Sequence, residues 1–149
     1  MSLTRVSSNQ HILIIEDSDE DYEATKRAMN KCKVTNPIHR CSYGDEALDF
    51  LFKRKMHENA ETPGIILLDL NLPGIDGREI LDEINKDYAL KTIPTIIFTT
   101  SSDERDIESC YQNGANSYIQ KPVDIEKLFT TISSLVDYWL KVVMLPNQK

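Results

Sequence analysis

The chain has 149 residues, enough for one domain with a sizeable hydrophobic core and no need for disulfide bonds. Its net charge of -7 argues against non-specific binding to nucleic acid, and no apolar stretch approaches the length that spans a membrane. The three cysteines are odd in number and unclustered, so we expect free thiols in a reducing, cytoplasmic environment.

Residues 1–9 are polar and lack an apolar signal segment, so they predict a flexible N-terminal arm. From residue 10 onward, short apolar runs alternate with helical patterns. The apolar runs, which are typical of buried strands, lie at residues 12–15, 38–43, 65–70, 95–99 and 117–120. Five such strand–helix units predict an α/β domain over residues 10–149, with a doubly wound, five-stranded parallel sheet.

Polar residues mark where several helices begin. Ser18 can cap the first helix, and Asp45 can cap the second. Ser101 and Glu104 have the spacing of a capping box for the fourth helix, which Gly114 closes. The acidic residues 19–21 are interpreted as first-turn helix charge and not as metal ligands.

The last helix is predicted to start at Asp124 and to continue to about Val143. One apolar stripe along it begins at Ile125, includes Trp139 and ends at Val143, while Tyr138, Leu140, Val142 and Met144 add apolar surface outside that stripe. A helix lying on a sheet buries only one stripe, so the surplus apolar surface predicts an interaction surface.

Polar side chains also gather where the strands end. Glu16 and Asp17 follow the first strand, Asp69 the third, Thr99 the fourth and Lys121 the fifth. The carboxyl ends of parallel strands share one edge, so we expect these groups to meet there.

Such a cluster suits a hard cation and a phosphoryl group. Clustered carboxylates repel one another, and a divalent cation relieves the repulsion; oxygen ligands favour Mg²⁺, Mn²⁺ or Ca²⁺ over zinc. Lys121 and Thr99 can contact phosphoryl oxygens, and a carboxylate can itself be the nucleophile that forms an acyl phosphate.

Four motifs carry a resemblance to a known family. They occupy residues 14–17, 67–77, 97–100 and 114–122, and they occur in the order and spacing of the receiver domains of two-component response regulators. The resemblance extends from about residue 10 to residue 135. It implies the flavodoxin-like receiver fold and a phosphoacceptor signalling protein that is not an enzyme beyond its own phosphotransfer and dephosphorylation.

The resemblance implies roles for the acidic groups. Asp69 accepts the phosphoryl group from the phosphohistidine of a histidine kinase. Asp17, Asp69 and the backbone carbonyl of Asn71 bind Mg²⁺, and Glu16 assists through water.

It also implies roles for residues on the fourth and fifth strands. Lys121 pairs with Asp69 and then with the phosphate, and the Lys121–Pro122 bond is cis. Thr99 and Tyr118 form the switch pair, in which Tyr118 turns inward from an exposed rotamer when Asp69 is phosphorylated. Asn71 and Ser101 lie where the family tunes its dephosphorylation rate.

A finer resemblance is to the small single-domain response regulators that partner phytochrome kinases. It is carried by residues 69–73, 76–79 and 99–101 and by the tail at 138–146. It implies a phytochrome-type kinase partner and a homodimer, with Tyr138, Trp139 and Val142 as the expected contact.

Two other hypotheses remain at this stage. A Mg²⁺-dependent phosphohydrolase of the haloacid dehalogenase type also uses a nucleophilic Asp at a strand end, but it usually has a second Asp where this chain has Asn71. A scaffold that works without phosphorylation would keep only the fold, and the intact set of pocket residues argues against it.

Overall fold

The computed structural model describes residues 10–146, so the predicted N-terminal arm lies outside the described residues. The strands are β1 (Ile12–Ile15), β2 (Ile38–Cys41), β3 (Ile65–Leu68), β4 (Thr95–Thr99) and β5 (Ser117–Gln120). The α-helices are α1 (Asp19–Lys31), α2 (Gly44–Leu51), α3 (Gly77–Lys86), α4 (Glu104–Gln112) and α5 (Ile125–Asp137). None of the helices in this part of the chain is long and apolar enough to cross a membrane.

The strands form one parallel sheet in the order β2-β1-β3-β4-β5. This confirms the predicted doubly wound, five-stranded sheet of flavodoxin-like topology. The strand order reverses between β1 and β3, and open sheets of this kind bind their ligands beyond the carboxyl ends of the strands at such a reversal. The fold therefore predicts a ligand site at the residues that follow β1 and β3.

Alternate strand residues build a core on each face of the sheet. Leu13 and Ile15 of β1 pack with the buried side chains of α2, α3 and α4. Ile12 and Ile14 pack on the opposite face with those of α1 and α5. Because the central strands β1 and β3 are apolar on both faces, helices cover both sides, and polar groups concentrate at the strand ends.

Two predicted helix caps are wrong. Helix α2 begins one residue before Asp45, and Tyr43 occupies the capping position without a side-chain hydrogen bond. Helix α4 is capped by Asp103, whose carboxylate accepts a hydrogen bond from the Arg105 amide at 2.8 Å. The β4–α4 loop is thus two residues longer than the predicted capping box allows, and this frees Ser101 for other contacts. Ser18 caps α1, as predicted, and Asp124, the predicted start of the last helix, is the cap of α5.

The last helix does not continue as one α-helix to about Val143. It becomes a π-helix over Tyr138–Val142, and this wider turn shifts the following side chains by about one position. Leu140, which was predicted to lie outside the apolar stripe, is buried in the α1–α5 core, whereas Trp139 is half-buried. Ile125, at the predicted start of the stripe, is exposed.

Candidate functional site

The acidic residues after β1 and β3 meet at the carboxyl edge of the sheet, as predicted. One carboxylate oxygen from each of Glu16, Asp17 and Asp69 lies within 4.8 Å of the others. Glu16 and Asp69 are buried, and Asp17 is exposed. The cluster therefore has a desolvated floor and an open, solvent-facing side.

Lys121 supplies the positive charge at the centre of this cluster. It leaves β5 and is only 7% exposed. Its Nζ donates hydrogen bonds to Glu16, to Asp69 Oδ2 at 3.1 Å and to Asp21 Oδ2 at 3.0 Å. One ammonium thus joins three carboxylates from two chain segments, and the position of Asp69 depends on it.

Asp21 is a member of the site that the sequence did not reveal. Its sequence position predicts first-turn helix charge, but its carboxylate reaches the Lys121 ammonium. Its own amide donates to Ser18 Oγ at 3.2 Å, which fixes the first turn of α1 beside the end of β1. The signal in the sequence was its position: a third-residue side chain of a helix that starts directly after a strand can turn back to the sheet edge.

Backbone contacts hold Glu16, Asp69 and Lys121 in place. Glu16 Oε2 accepts from the Ser18 amide at 3.1 Å, and Asp69 Oδ1 accepts from the Asn71 amide at 3.3 Å. The Lys121 amide donates to the Thr99 carbonyl oxygen at 2.7 Å, which keeps β5 in register with β4 at the pocket. Asn71 is thus placed beside Asp69 by its backbone.

Gly77 allows α3 to begin directly against the backbone of Asp69. A Cβ atom at this position would lie 2.2 Å from the Asp69 carbonyl oxygen, closer than any side chain can approach. The glycine is therefore required by the close packing of α3 under the pocket.

The pKa values of Glu16 and Lys121 are set by burial and by the neighbouring charges. Burial raises the pKa of Glu16 to about 7, with the Asp69 charge adding to the rise and Lys121 opposing it. Burial lowers the pKa of Lys121, but the hydrogen bond to Glu16 and the charges of Asp69 and Glu16 outweigh it and raise that pKa overall. Lys121 therefore keeps its positive charge at neutral pH.

Thr99 places a hydroxyl group without a partner at the end of β4. The residue is fully buried, and its Oγ1 atom makes no hydrogen bond with the described part of the chain. An unsatisfied buried hydroxyl costs about 1–3 kcal/mol. Such a group is available to donate to an acceptor that enters the pocket.

Tyr118 does not occupy the exposed rotamer expected for the unphosphorylated protein. Its ring is half-buried against the core formed with α2, α3 and α4. Its hydroxyl donates to the Ser101 carbonyl oxygen at 3.0 Å, and burial raises the pKa of this phenol. Tyr118 lies inward because the β4–α4 loop presents the Ser101 carbonyl oxygen as an acceptor for its hydroxyl group.

The Lys121–Pro122 peptide bond is not cis, so that expectation was wrong; the peptide bonds between described residues are all trans. A peptide bond before proline favours the trans isomer by only about 0.5–1 kcal/mol, and local packing decides between the two. The trans bond still allows the Lys121 side chain to reach both Glu16 and Asp69.

The donor set fits a hard divalent cation. Glu16, Asp17 and Asp69 offer only carboxylate oxygens, the ligand type that Mg²⁺ and Mn²⁺ prefer. A second cation beside Lys121 would also reduce the repulsion between the carboxylates. The residues present are therefore suitable to hold such an ion.

A family model described as the response regulator receiver domain matches residues 12–133 of this chain. The chain belongs to the response regulator receiver domain family. Receiver domains accept phosphoryl groups from kinases, so the chain is a signalling protein of two-component systems. This favours the phosphoacceptor over the phosphohydrolase that was considered as its alternative.

Individual relatives of this receiver cover most of its length. Response regulator Rcp1 of Synechocystis sp. is 36% identical over 135 residues, which are 91% of this chain and 92% of Rcp1. The probable methanogenesis regulatory protein FilR2 of Methanothrix harundinacea is 36% identical over 131 residues, 87% of this chain and 83% of FilR2.

Two solved structures have nearly the same fold. The Mn²⁺-bound form of Rcp1 superposes with a TM-score of 0.89 at 35% identity, covering 93% of this chain and 99% of that one. The phosphorylated cyanobacterial phytochrome response regulator RcpA gives a TM-score of 0.90 at 35% identity, with the same coverage. These matches confirm that the chain is similar to phytochrome response regulators.

The acidic cluster predicts a specific loss of cation binding. Asp17→Asn should weaken the binding of Mn²⁺ about tenfold or more, because even residues outside the direct ligands change metal affinity 10–100-fold. Titration calorimetry, or the electron paramagnetic resonance signal of free Mn²⁺, measures the change. Asp19→Asn is the matched control, since Asp19 is exposed and pairs with Arg40 outside the cluster. Equal affinities for both variants would contradict this assignment.

Proposed function

We propose that this receiver accepts a phosphoryl group on Asp69 from the phosphohistidine of a histidine kinase. The observation that carries the proposal is the contact at 3.1 Å between Asp69 Oδ2 and the Lys121 ammonium, inside a cluster that also holds Glu16 and Asp17. A carboxylate oxygen attacks phosphorus, and the phosphorus–nitrogen bond breaks. The bonding electron pair stays on the imidazole nitrogen, and an acyl phosphate forms on Asp69.

Glu16, Asp17, Asp69 and the Asn71 carbonyl are the groups that would hold Mg²⁺. The bound ion would supply positive charge to the oxygens of the transferred group. The support is the set of oxygen donors in this chain, together with the similarity to Rcp1, which has been solved in a Mn²⁺-bound form.

Thr99 and Lys121 would bind the phosphoryl group once it is attached. Lys121 already contacts Asp69, and the free Thr99 hydroxyl lies at the end of the neighbouring strand. The phosphoryl oxygens give Thr99 the acceptor that it lacks, and this draws the β4–α4 loop towards the pocket. Tyr118, which is bonded to Ser101 in that loop, carries the change to the surface of α4, β5 and α5.

A phytochrome-type histidine kinase is the proposed source of the phosphoryl group. The similarity to a phytochrome response regulator over 93% of this chain supports this partner. We infer that the protein acts in the cytoplasm by binding other proteins, without a nucleic-acid target or a membrane.

Replacing the phosphoacceptor tests the proposal. Asp69→Asn keeps the shape of the side chain but removes the nucleophilic carboxylate, so labelling by radioactive acetyl phosphate with Mg²⁺ should fall to background. The parent and Asp82→Asn, which changes an exposed carboxylate on α3, should be labelled equally. Persistent labelling of Asp69→Asn would refute the assignment, and turnover of small phosphate esters by the parent would support a phosphohydrolase.

We also propose that the end of the last helix contacts a second copy of this chain. Tyr138 is 53% exposed and Val142 is 59% exposed. The Trp139 ring packs edge-on against the Tyr138 ring, with the two ring centroids 5.3 Å apart. Tyr138 and Trp139 also line a groove beside β5 that includes Ile119. Two copies related by a twofold axis could each cover the other's exposed aromatic surface.

A charge at this surface should separate the copies. Val142→Glu is expected to lower the mass in sedimentation equilibrium from dimer to monomer, and Trp139→Glu should do the same. Ile125→Glu, at the opposite end of the helix, is a matched control because it adds the same charge at another exposed apolar site. If all of these proteins have the parent's mass, the helix end is not the dimer contact.

A further inference from the structure

A two-point ion pair joins the start of α3 to the start of α4. Arg78 Nε lies 2.9 Å from Asp106 Oδ1, and Arg78 Nη2 lies 2.9 Å from Asp106 Oδ2. Arg78 Nη1 also donates to Asp76, the cap of α3, at 3.0 Å. The guanidinium therefore links the loop that follows Asp69 to the helix that follows Thr99.

Ser101 is attached to the same pair. Its hydroxyl donates to Asp106 Oδ2 at 2.7 Å and accepts from the Asp103 amide at 3.3 Å. Its carbonyl oxygen accepts the hydrogen bond from Tyr118. An unbroken series of contacts thus runs from Arg78 through Asp106 and Ser101 to the switch tyrosine.

The geometry makes this pair stronger than an ordinary surface pair. Both guanidinium–carboxylate hydrogen bonds are 2.9 Å long, and the Asp106 side chain is 19% exposed while that of Arg78 is 37% exposed. The hydrogen bond from Arg78, together with that from Ser101, holds the pKa of Asp106 below its usual value. By contrast, the Lys86–Asp82 pair on α3 has one contact and lies in solvent, where such pairs contribute little.

We propose that Arg78 and Asp106 are positioning residues for the switch, because together they fix Ser101 so that its carbonyl oxygen holds Tyr118 inward before any phosphoryl group is present. We call this pair the α3–α4 clamp. The inference rests on the proposed function, since it concerns the conformational response to phosphorylation of Asp69.

By thermodynamic linkage, the clamp should also affect how strongly the phosphoryl group binds. If the inward Tyr118 arrangement and the phosphoryl group favour each other, a contact that populates this arrangement in advance also strengthens binding of the phosphoryl group. The clamp would then set how much of the conformational change is complete before the kinase arrives.

The first experiment follows Tyr118 without any phosphoryl group. The six tyrosines are replaced by 3-fluorotyrosine, and the Tyr118 resonance in the ¹⁹F spectrum is identified from its absence in Tyr118→Phe. In Arg78→Gln and in Asp106→Asn this resonance should move towards the position of exposed tyrosine, with circular dichroism unchanged. Lys86→Gln, which breaks the exposed pair on α3, should leave it in place.

Two further variants separate positioning from general stability. Arg78→Lys keeps the charge but not the two-point geometry, so it should not restore the inward signal. The double variant Arg78→Gln/Asp106→Asn should shift Tyr118 no further than either single change, because the two residues act as one unit. An unmoved Tyr118 resonance in both single variants would overturn the proposal.

The second experiment uses beryllofluoride with Mg²⁺ as a mimic of the phosphoryl group. Breaking the clamp should weaken its apparent binding about five- to tenfold in calorimetry, the lower end of typical coupling between sites, and Lys86→Gln should not. Unchanged binding in variants whose Tyr118 has moved would overturn the role of the clamp. Failure of the parent to bind beryllofluoride would instead refute the proposed function, and the fluorine spectra would still decide whether the clamp positions Tyr118.

Discussion

The whole site depends on one buried ammonium group surrounded by carboxylates. Lys121 can stay charged in a desolvated pocket only because Glu16, Asp21 and Asp69 face it, and these carboxylates tolerate one another only because Lys121 lies among them. Removing one partner of a buried ion pair typically costs about 3–5 kcal/mol. The ends of β1, β3 and β5 must therefore meet at one point, which the parallel sheet arranges and the two apolar cores hold rigid.

The same pocket contains one hydroxyl group without a hydrogen-bond partner and more carboxylates than basic groups. Thr99 has a hydroxyl without a partner in the described structure, and Asp17 faces solvent and forms no ion pair with another described residue. A cation and a phosphoryl group would supply both missing partners. Ser101 lies two residues after Thr99, in the β4–α4 loop. A movement of Thr99 would therefore change the hydrogen bond between Tyr118 and the Ser101 carbonyl oxygen. In the proposed function, a few residues of this loop would thus link the phosphoryl transfer to the conformational response.

Much of the site followed from the sequence, because in a parallel sheet the position of a residue at a strand end also fixes its place in space. Glu16, Asp69 and Lys121 could be brought together by that rule alone. The other features depend on tertiary packing. Asp21 joins the site through the angle at which α1 leaves the sheet, and Tyr118 lies inward because a loop carbonyl is available. Likewise, helical periodicity cannot predict the π-helix after α5, which changes the residues that the end of this helix buries.

The most direct test of the account is to locate the phosphoryl group chemically. The protein is phosphorylated by its kinase or by acetyl phosphate and treated at once with borohydride, which reduces an acyl phosphate on aspartate to homoserine. Peptide mass spectrometry then identifies the changed residue. The account predicts homoserine at position 69 and at no other aspartate. Homoserine at another position, or a phosphate that resists reduction, would contradict it.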